Sequence, residues 1–185
     1  MAKSNRVRII GGDWRSRRIT FPDHEGLRPS ADRVRETLFN WLGQDLAGLR
    51  CLDLFAGSGA LGFEALSRGA AWVVMVEKHR SVCEVLRHNA GLLGAKNLQL
   101  HCADALEFAT AAAADAAARF DVVFLDPPFG STLLEQALPR VAPLLRPGAR
   151  VYVESAAAFS PSGGWRALRH GRAGKVHYTL VTYGD

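Results

Sequence analysis

Short apolar runs alternate with stretches of helical period over most of the chain. Five runs are each typical of a strand, and four helical patterns separate them. We place the strands at residues 49–55, 72–76, 97–101, 120–125 and 150–154, and the helices at 60–67, 79–93, 105–118 and 132–145. Strands that alternate with helices form βαβ units, and these build a parallel sheet with helices on both faces. The pattern therefore predicts an α/β fold.

The amino-terminal end follows a different pattern. Two runs with β character flank Gly11-Gly12 and predict a β-hairpin, after which residues 22–29 form a polar connector. From Ser30 onward, the apolar positions have the spacing of one helix face. Ser30 or Asp32 would cap this helix and Gly43 would end it.

The carboxyl-terminal end predicts a second hairpin. Residues 165–183 lack a helical period and contain two strand-like runs, with a turn expected at residues 171–174. These two runs bring the mostly parallel sheet to seven strands. We divide the chain into the amino-terminal hairpin with its connector, residues 1–28, and a main domain, residues 29–185.

Positive charge is concentrated near the amino terminus. The chain has 185 residues and a net charge of +5, and its first twenty residues hold six basic side chains against Asp13. Such a patch is typical of a protein that binds a polyanion, and a solvated tail is the neutral alternative. Basic side chains at the start of a helix, where its dipole disfavours them, also indicate a partner. The predicted RNA-binding residues are Arg8, Arg15, Arg17, Arg18, Arg28, Arg33 and Arg35.

Composition excludes several classes of protein. The hydrophobic content of 48% suits a globular domain, and no apolar run is long enough for a membrane span or a signal peptide. The three cysteines are far apart, so we expect reduced, buried thiols in a cytoplasmic protein. The histidines lack metal-ligand spacing, so we expect no metal. Nothing indicates an obligate dimer, and we expect a monomer.

A glycine-rich segment follows the first strand of the predicted parallel sheet. Residues 53–62, DLFAGSGALG, contain G-x-G-x-x-G, which makes a dinucleotide site the rival interpretation. Asp53 stands just before the glycines, where it would repel a pyrophosphate but suit a ligand with an ammonium group. S-adenosylmethionine has such a group, and the glycines would let the backbone approach it closely.

Two further carboxylates suit the adenosine part of that ligand. Glu77 follows the second strand, where it can accept both ribose hydroxyls, and Asp104 follows the third, where it can accept the adenine amino group. Asp104 taken alone could equally cap the next helix. The predicted cofactor-binding residues are Asp53, Phe55, Ala56, Gly57, Ser58, Gly59, Glu77, Lys78, Asp104 and Ala105.

The segment Asp126-Pro127-Pro128-Phe129 ends the apolar strand 120–125 and holds the predicted catalytic residues. The prolines make the loop rigid, and a carboxylate with a proline carbonyl can accept both hydrogens of an exocyclic amine. This contact favours a pyramidal nitrogen whose lone pair points at a methyl donor. Phe129 can stack on the base. A capped helix start with Phe129 in the core is the structural alternative.

Taken together, these segments resemble the class I S-adenosylmethionine-dependent methyltransferases that modify amino groups. Residues 8–17, RIIGGDWRSR, with residues 27–42, are similar to the bacterial 16S rRNA guanine-N2 methyltransferases, the family that modifies guanine 966. The resemblance covers nearly the whole chain, although Ser30 replaces an expected threonine and nothing from Ala156 onward matches. It implies a Rossmann-like fold and methyl transfer to guanine N2. The implied partner is 16S rRNA within the small ribosomal subunit or an assembly intermediate.

Three alternatives remain at this point. An adenine-N6 methyltransferase would use the same amine-holding loop, but 185 residues leave little room for its target-recognition region. A dehydrogenase is disfavoured by Asp53, by the Pro-Pro loop and by the missing substrate domain. A catalytically silent rRNA-binding assembly factor is disfavoured by the intact acceptor segment.

Overall fold

A computed structural model describes residues 5–23 and 30–184, with two sheets and five α-helices in that part of the chain. The strands are β1 Asn5–Arg8, β2 Arg18–Phe21, β3 Arg50–Asp53, β4 Trp72–Glu77, β5 Leu98–Cys102, β6 Phe120–Leu125, β7 Leu145–Ser155, β8 Trp165–Ala173 and β9 Val176–Tyr183. The helices are α1 Asp32–Leu42, α2 Ala60–Ser67, α3 Arg80–Leu93, α4 Ala105–Ala112 and α5 Leu133–Val141, with a short 3-10 turn at Ala142–Leu144.

Seven strands form the main sheet in the order β5-β4-β3-β6-β7-β9-β8. Strands β3 to β7 are parallel, and β9 and β8 add an antiparallel pair at one edge. Strands β4 and β6 are almost wholly buried, as expected for strands covered on both faces. The α/β fold with a mostly parallel seven-stranded sheet is confirmed.

Two apolar clusters lie on opposite faces of this sheet. One contains the buried sides of α1, α2 and α3, and the other those of α4 and α5. The first cluster also contains Val7, Ile9, Ile19 and Phe21 of the amino-terminal hairpin. The hairpin therefore packs into the same core as the main sheet, and the division at residue 28 stays a prediction.

The amino-terminal hairpin is present, but its loop is longer than a tight turn at Gly11-Gly12. Strands β1 and β2 pair with Arg8 opposite Arg18, so nine residues connect them. This loop lies against α2, where Asp13 N donates to Ser67 O at 2.7 Å. Gly12 has φ +73°, and a Cβ there would lie 1.7 Å from Ser67 O, so glycine is required for the contact.

Several predicted boundaries were wrong. Helix α1 begins at Asp32 after Ala31, without a side-chain cap from Ser30 or Asp32, whereas Gly43 does end it. Helix α4 ends at Ala112, so the rest of the alanine-rich run lies outside it. The carboxyl-terminal turn lies between β8 and β9 at residues 174–175, because 171–173 still pair with β9.

The cysteine prediction was wrong for one residue. Cys51 and Cys83 are buried, as expected, but Cys102 is exposed because β5 is an edge strand. None of the helices in the described ranges has the length and apolar character of a membrane span.

Candidate active site

Four carboxylates lie at the same edge of the main sheet. Asp53 ends β3, Glu77 ends β4, Glu154 lies near the end of β7, and Asp126 directly follows β6. Strands β4, β3, β6 and β7 are parallel neighbours, so their carboxyl ends meet at this edge. Open α/β sheets bind ligands in this position, which marks the candidate site.

The glycine loop connects β3 to α2 at this edge. Gly59 precedes α2 with φ +79°, and a Cβ there would lie 2.7 Å from atoms of Phe63 and Leu86. Ala56 N donates to Val76 O at 2.9 Å, and Gly57 N donates to Glu77 Oε2 at 3.0 Å. These two hydrogen bonds hold the loop at the end of β4.

The Glu77 carboxylate can accept hydrogen bonds from a diol. Its carboxylate is buried and is held by backbone N–H groups of Gly57 and His79, the latter at 2.8 Å. Each carboxylate oxygen retains a second lone pair, which a ribose hydroxyl can use. These free acceptor positions beside the glycine loop fit the ribose of S-adenosylmethionine.

The other predicted cofactor residues have different positions. Asp104 caps α4, with Oδ1 accepting from Leu106 N at 2.8 Å and Glu107 N at 3.1 Å, and its side chain is exposed. Lys78 is exposed, whereas Ala105 is buried at the start of α4. Phe55 is half-buried and Ser58 is buried.

Asp53 lies beneath the glycine loop. It is 1% exposed, and its Oδ2 accepts from Gly62 N at 3.0 Å. Burial raises the pKa of this carboxyl from 3.8 to about 7. Asp53 therefore accepts a hydrogen bond from the first turn of α2, directly after the loop, and a cationic ligand nearby would favour its ionised form.

We expect Asp53→Asn to stabilise the protein above pH 7. The raised pKa means that the native state resists ionisation, so stability is lost as the pH rises from about 4 through about 7. The variant should remove this loss, which is about 4 kcal/mol at pH 8 for a shift from 3.8 to about 7. Urea unfolding measures the gain in stability. Calorimetry should show at least tenfold weaker S-adenosylmethionine binding, and unchanged binding would contradict the assignment.

The acceptor loop, residues 126–131, follows β6. Asp126 is half-buried, Pro127 is buried and the Phe129 ring is 50% exposed, which leaves it free to stack. Ser131 Oγ donates to Pro128 O at 2.6 Å and closes the loop on itself. A cavity of about 710 Å³ opens between this loop, α5 and residues 155–165, with room for a nucleoside. The alternative of a Phe129 buried in the core is wrong.

A second acidic side chain lies beside Asp126. The Ser30 hydroxyl contacts Asp126 Oδ2 at 3.5 Å and donates to Glu154 Oε1, which also accepts from the Tyr152 hydroxyl at 2.7 Å. Burial and the Glu154 charge raise the pKa of Asp126. Sequence reasoning missed Glu154, although a charged residue ending the apolar run 151–153 is the same signal that marked Glu77.

The predicted RNA-binding arginines have different environments. Arg8, Arg15, Arg17, Arg18 and Arg33 are exposed, and Arg28 lies outside the described residues. Arg35 is 1% exposed and pairs with Asp32 at 2.6 Å and Glu64 at 3.3 Å, so its prediction as an RNA contact was wrong. Its charge at the start of α1 is compensated by these carboxylates and indicates no external partner.

A basic cleft of about 410 Å³ separates the hairpin from the start of α1. Arg6, Arg8 and Arg18 line its hairpin side, and Ser30 lies on the other. Arg8 makes an ion pair with Asp32 at 3.2 Å, but both side chains are about half exposed, so a phosphate can compete for Arg8. Because Ser30 also contacts Asp126, the cleft leads to the acceptor loop.

Comparison with known proteins places this arrangement in a family. The profile of the family described as Conserved hypothetical protein 95 matches residues 7–182. The chain belongs to this family. Among curated relatives, the Escherichia coli ribosomal RNA small subunit methyltransferase D is 42% identical over 96% of this chain and 90% of its own. The Haemophilus influenzae protein of that name is 41% identical over 94% and 92%. The resemblance to bacterial rRNA methyltransferases is confirmed.

Solved structures of relatives share the fold. The Escherichia coli protein yhhF superposes with a TM-score of 0.85 at 41% identity, covering 97% of this chain and 99% of that one. The Thermus thermophilus 16S rRNA N2 G1207 methyltransferase, solved with AdoMet and guanosine, has a TM-score of 0.74 at 23% identity, covering 99% of this chain and 50% of that one. The Rossmann-like class I methyltransferase fold of this family is thus confirmed. Among residues 5–23 and 30–184, no group of three or more acidic, histidine or cysteine side chains could hold a metal ion.

Proposed function

We propose that this protein transfers a methyl group from S-adenosylmethionine to the exocyclic N2 of guanine 966 in 16S rRNA. The observation that carries the proposal is the position of the acceptor loop beside the glycine loop. Strands β3 and β6 pair with Asp53 opposite Phe124, so Asp126 lies two residues beyond that pair, on the side of the glycine loop. The family relationship to rRNA methyltransferases disfavours a DNA enzyme or a silent assembly factor.

The chain's own residues bind and orient the reactants. S-adenosylmethionine, when bound, supplies an electrophilic methyl group on a sulfonium. Glu77 accepts the ribose hydroxyls, Asp104 accepts the adenine amino group, and Asp53 sets the charge under the loop. Asp126 and the Pro127 carbonyl accept the two hydrogens of the guanine amine, and Phe129 packs on the base. Positioning of the amine for in-line attack supplies most of the rate enhancement.

The target guanine must be unpaired or extruded from its stack to reach this loop. The exposed Phe129 ring and the 710 Å³ cavity suit a base that has left its helix. The basic cleft and the exposed hairpin arginines bind neighbouring phosphates. We propose that the protein acts as a monomer in the cytoplasm on the small ribosomal subunit or an assembly intermediate.

We expect the double change Arg15→Glu and Arg18→Glu to weaken rRNA binding by at least tenfold at physiological salt, because phosphate contacts become repulsive. Arg17 is left intact because it donates to Leu92 O at 2.5 Å. Filter binding at several salt concentrations should also show a shallower salt dependence, while S-adenosylmethionine binding stays unchanged.

The matched control reverses Arg119 and Arg140, which changes the net charge equally. Arg119 directly precedes β6 and Arg140 lies in the last turn of α5, so both are near the amino ends of the parallel strands. The rRNA affinity of this control should stay within about twofold of the wild type, because charges at these positions act only over a short range. Equal weakening by both double variants would refute a specific hairpin contact.

Methyl-label transfer tests the proposed function. The protein is incubated with methyl-labelled S-adenosylmethionine and unmodified small ribosomal subunits, with free 16S rRNA and duplex DNA in parallel. Digestion to nucleosides should give labelled N2-methylguanosine at position 966. Labelled N6-methyladenine would assign the protein to the rival class, and no label despite cofactor binding would refute the substrate.

A further inference from the structure

Glu154 has no role in the function proposed so far, yet it is 4% exposed at the edge that holds the active site. A buried carboxylate is costly unless other groups compensate it. Its Oε1 accepts hydroxyls from Ser30 and Tyr152 but makes no ion pair with any arginine or lysine in the described part of the chain. Glu154 is therefore not the member of a structural salt bridge.

The carboxylates of Glu154 and Asp126 lie close together. The single hydroxyl of Ser30 contacts a carboxylate oxygen of each residue, which shows that the two carboxylates converge on one point. Of the groups packed around them, Asp53 comes from β3, Tyr152 from β7 itself and Tyr178 from β9. None of these carries positive charge. Arg35 of α1 donates to Ser30 O at 3.3 Å, but its charge is paired with Asp32 and Glu64. Two adjacent negative charges on Asp126 and Glu154 would therefore be uncompensated. Carboxylates in this arrangement hold one proton between them.

We propose that Glu154 is a positioning residue that takes up, through Asp126, the proton released when the guanine amine is methylated. This inference rests on the proposed function. Glu154 also lines the 710 Å³ cavity, but it acts through Asp126, whose carboxylate is the one assigned to the guanine amine. The hydroxyls of Ser30 and Tyr152 keep Glu154 as the ionised member of the pair, and the shared proton resides on Asp126.

The proposed step balances in atoms and charge. The amine nitrogen bonds to the methyl carbon while the carbon–sulfur bond breaks and its electron pair remains on sulfur. The nitrogen then carries a positive charge and an acidic hydrogen. Asp126 accepts that hydrogen on the oxygen facing the base and passes its own proton to Glu154. The base leaves as neutral N2-methylguanine, and the pair changes from one proton to two until it loses one to solvent.

Glu154→Gln tests this relay because it keeps the volume and the hydrogen-bond acceptor but removes the proton affinity. Single-turnover methyl transfer to small ribosomal subunits should fall by about 100-fold, the lower end of what a proton-transfer group contributes. The KM for the subunits should stay within about twofold. The acid limb of the pH–rate profile reports the ionisation of Glu154, so its midpoint should change in this variant, where the residual rate depends on the ionisation of Asp126 instead.

Tyr152→Phe should move the acid limb to higher pH. The Tyr152 hydroxyl lowers the pKa of Glu154, so its loss makes Glu154 harder to ionise and shifts the limb to higher pH. A merely structural role would lower activity without moving the pH midpoint. Glu84→Gln, an exposed glutamate on α3, is the isosteric control and should leave the profile unchanged.

The outcomes separate this inference from the proposed function. Wild-type protein that yields no N2-methylguanosine removes the proposed function and the relay with it. Wild-type protein that yields it, with a Glu154→Gln profile of unchanged midpoint, overturns the relay alone. Should Glu154→Gln fail to fold, a Tyr152→Phe midpoint that stays in place or moves to lower pH also overturns the relay.

Discussion

Asp126→Ala should lower the rate of methyl transfer to rRNA by about 10³-fold, because it removes the group that holds the amine and receives its proton. S-adenosylmethionine affinity should stay within a few-fold, since Glu77 and the glycine loop remain intact. The rate is measured by single-turnover label transfer and the affinity by calorimetry.

The Asp126 variant should not lose stability. Burial and the Glu154 charge raise the pKa of Asp126, so the native state gains nothing from this carboxylate at neutral pH. Its melting temperature should equal or exceed that of the wild type, which separates lost chemistry from unfolding. Asp115→Ala, which removes an exposed carboxylate after α4, should keep full activity. Full activity of Asp126→Ala would refute the catalytic assignment.

Glu64→Ala should destabilise the protein by about 4 kcal/mol, because it leaves the buried Arg68 without an anionic partner and Arg35 with Asp32 alone. Glu64 in α2 is fully buried and pairs with Arg68 at 2.9 Å and Arg35 at 3.3 Å. It also accepts backbone N–H groups of Ile10 at 2.9 Å and Gly11 at 2.8 Å. One carboxylate therefore fastens the hairpin loop and α1 to α2. Urea unfolding measures the loss of stability.

Glu64→Ala should also weaken rRNA binding, because the hairpin loop loses its hydrogen bonds to α2. The control is Glu84→Ala, whose carboxylate makes an i,i+4 pair with Arg80 with side chains 62% and 89% exposed. Exposed pairs of this kind contribute little, so its unfolding free energy should change by less than about 0.5 kcal/mol. A Glu64→Ala protein as stable as this control would show that the buried network is dispensable.

The two arginines at the start of α1 illustrate the limit of charge patterns. Arg33 and Arg35 have similar sequence surroundings, yet Arg33 is exposed and Arg35 is buried against Glu64. Sequence spacing identifies which side of a helix a residue occupies but not which charge a distant helix places opposite it. The prediction for Arg35 failed for this reason.

The active site shows the same difference between local sequence patterns and contacts that the fold makes. Glu77 and Asp126 were identified because each follows an apolar strand directly, and parallel strands must bring their carboxyl ends to one edge. For Asp104 the sequence left two roles, an adenine contact and a helix cap. The structure shows the cap, and the exposure of the carboxylate leaves the adenine contact open. The hairpin was predicted from the two runs that flank Gly11-Gly12, but the length of its loop, residues 9–17, depends on contacts such as that of Gly12 with Ser67.

Local periodicity and motifs of adjacent residues were enough to predict the α/β fold, the succession of strands and helices along the chain, the glycine loop and the acceptor segment. They could not predict which side chains meet across the chain. Ser30 and Glu154 are 124 positions apart, and Glu64 binds the loop at residues 10–11 across more than 50. Such contacts arise from the packing of helices and strands in three dimensions, which no local pattern encodes.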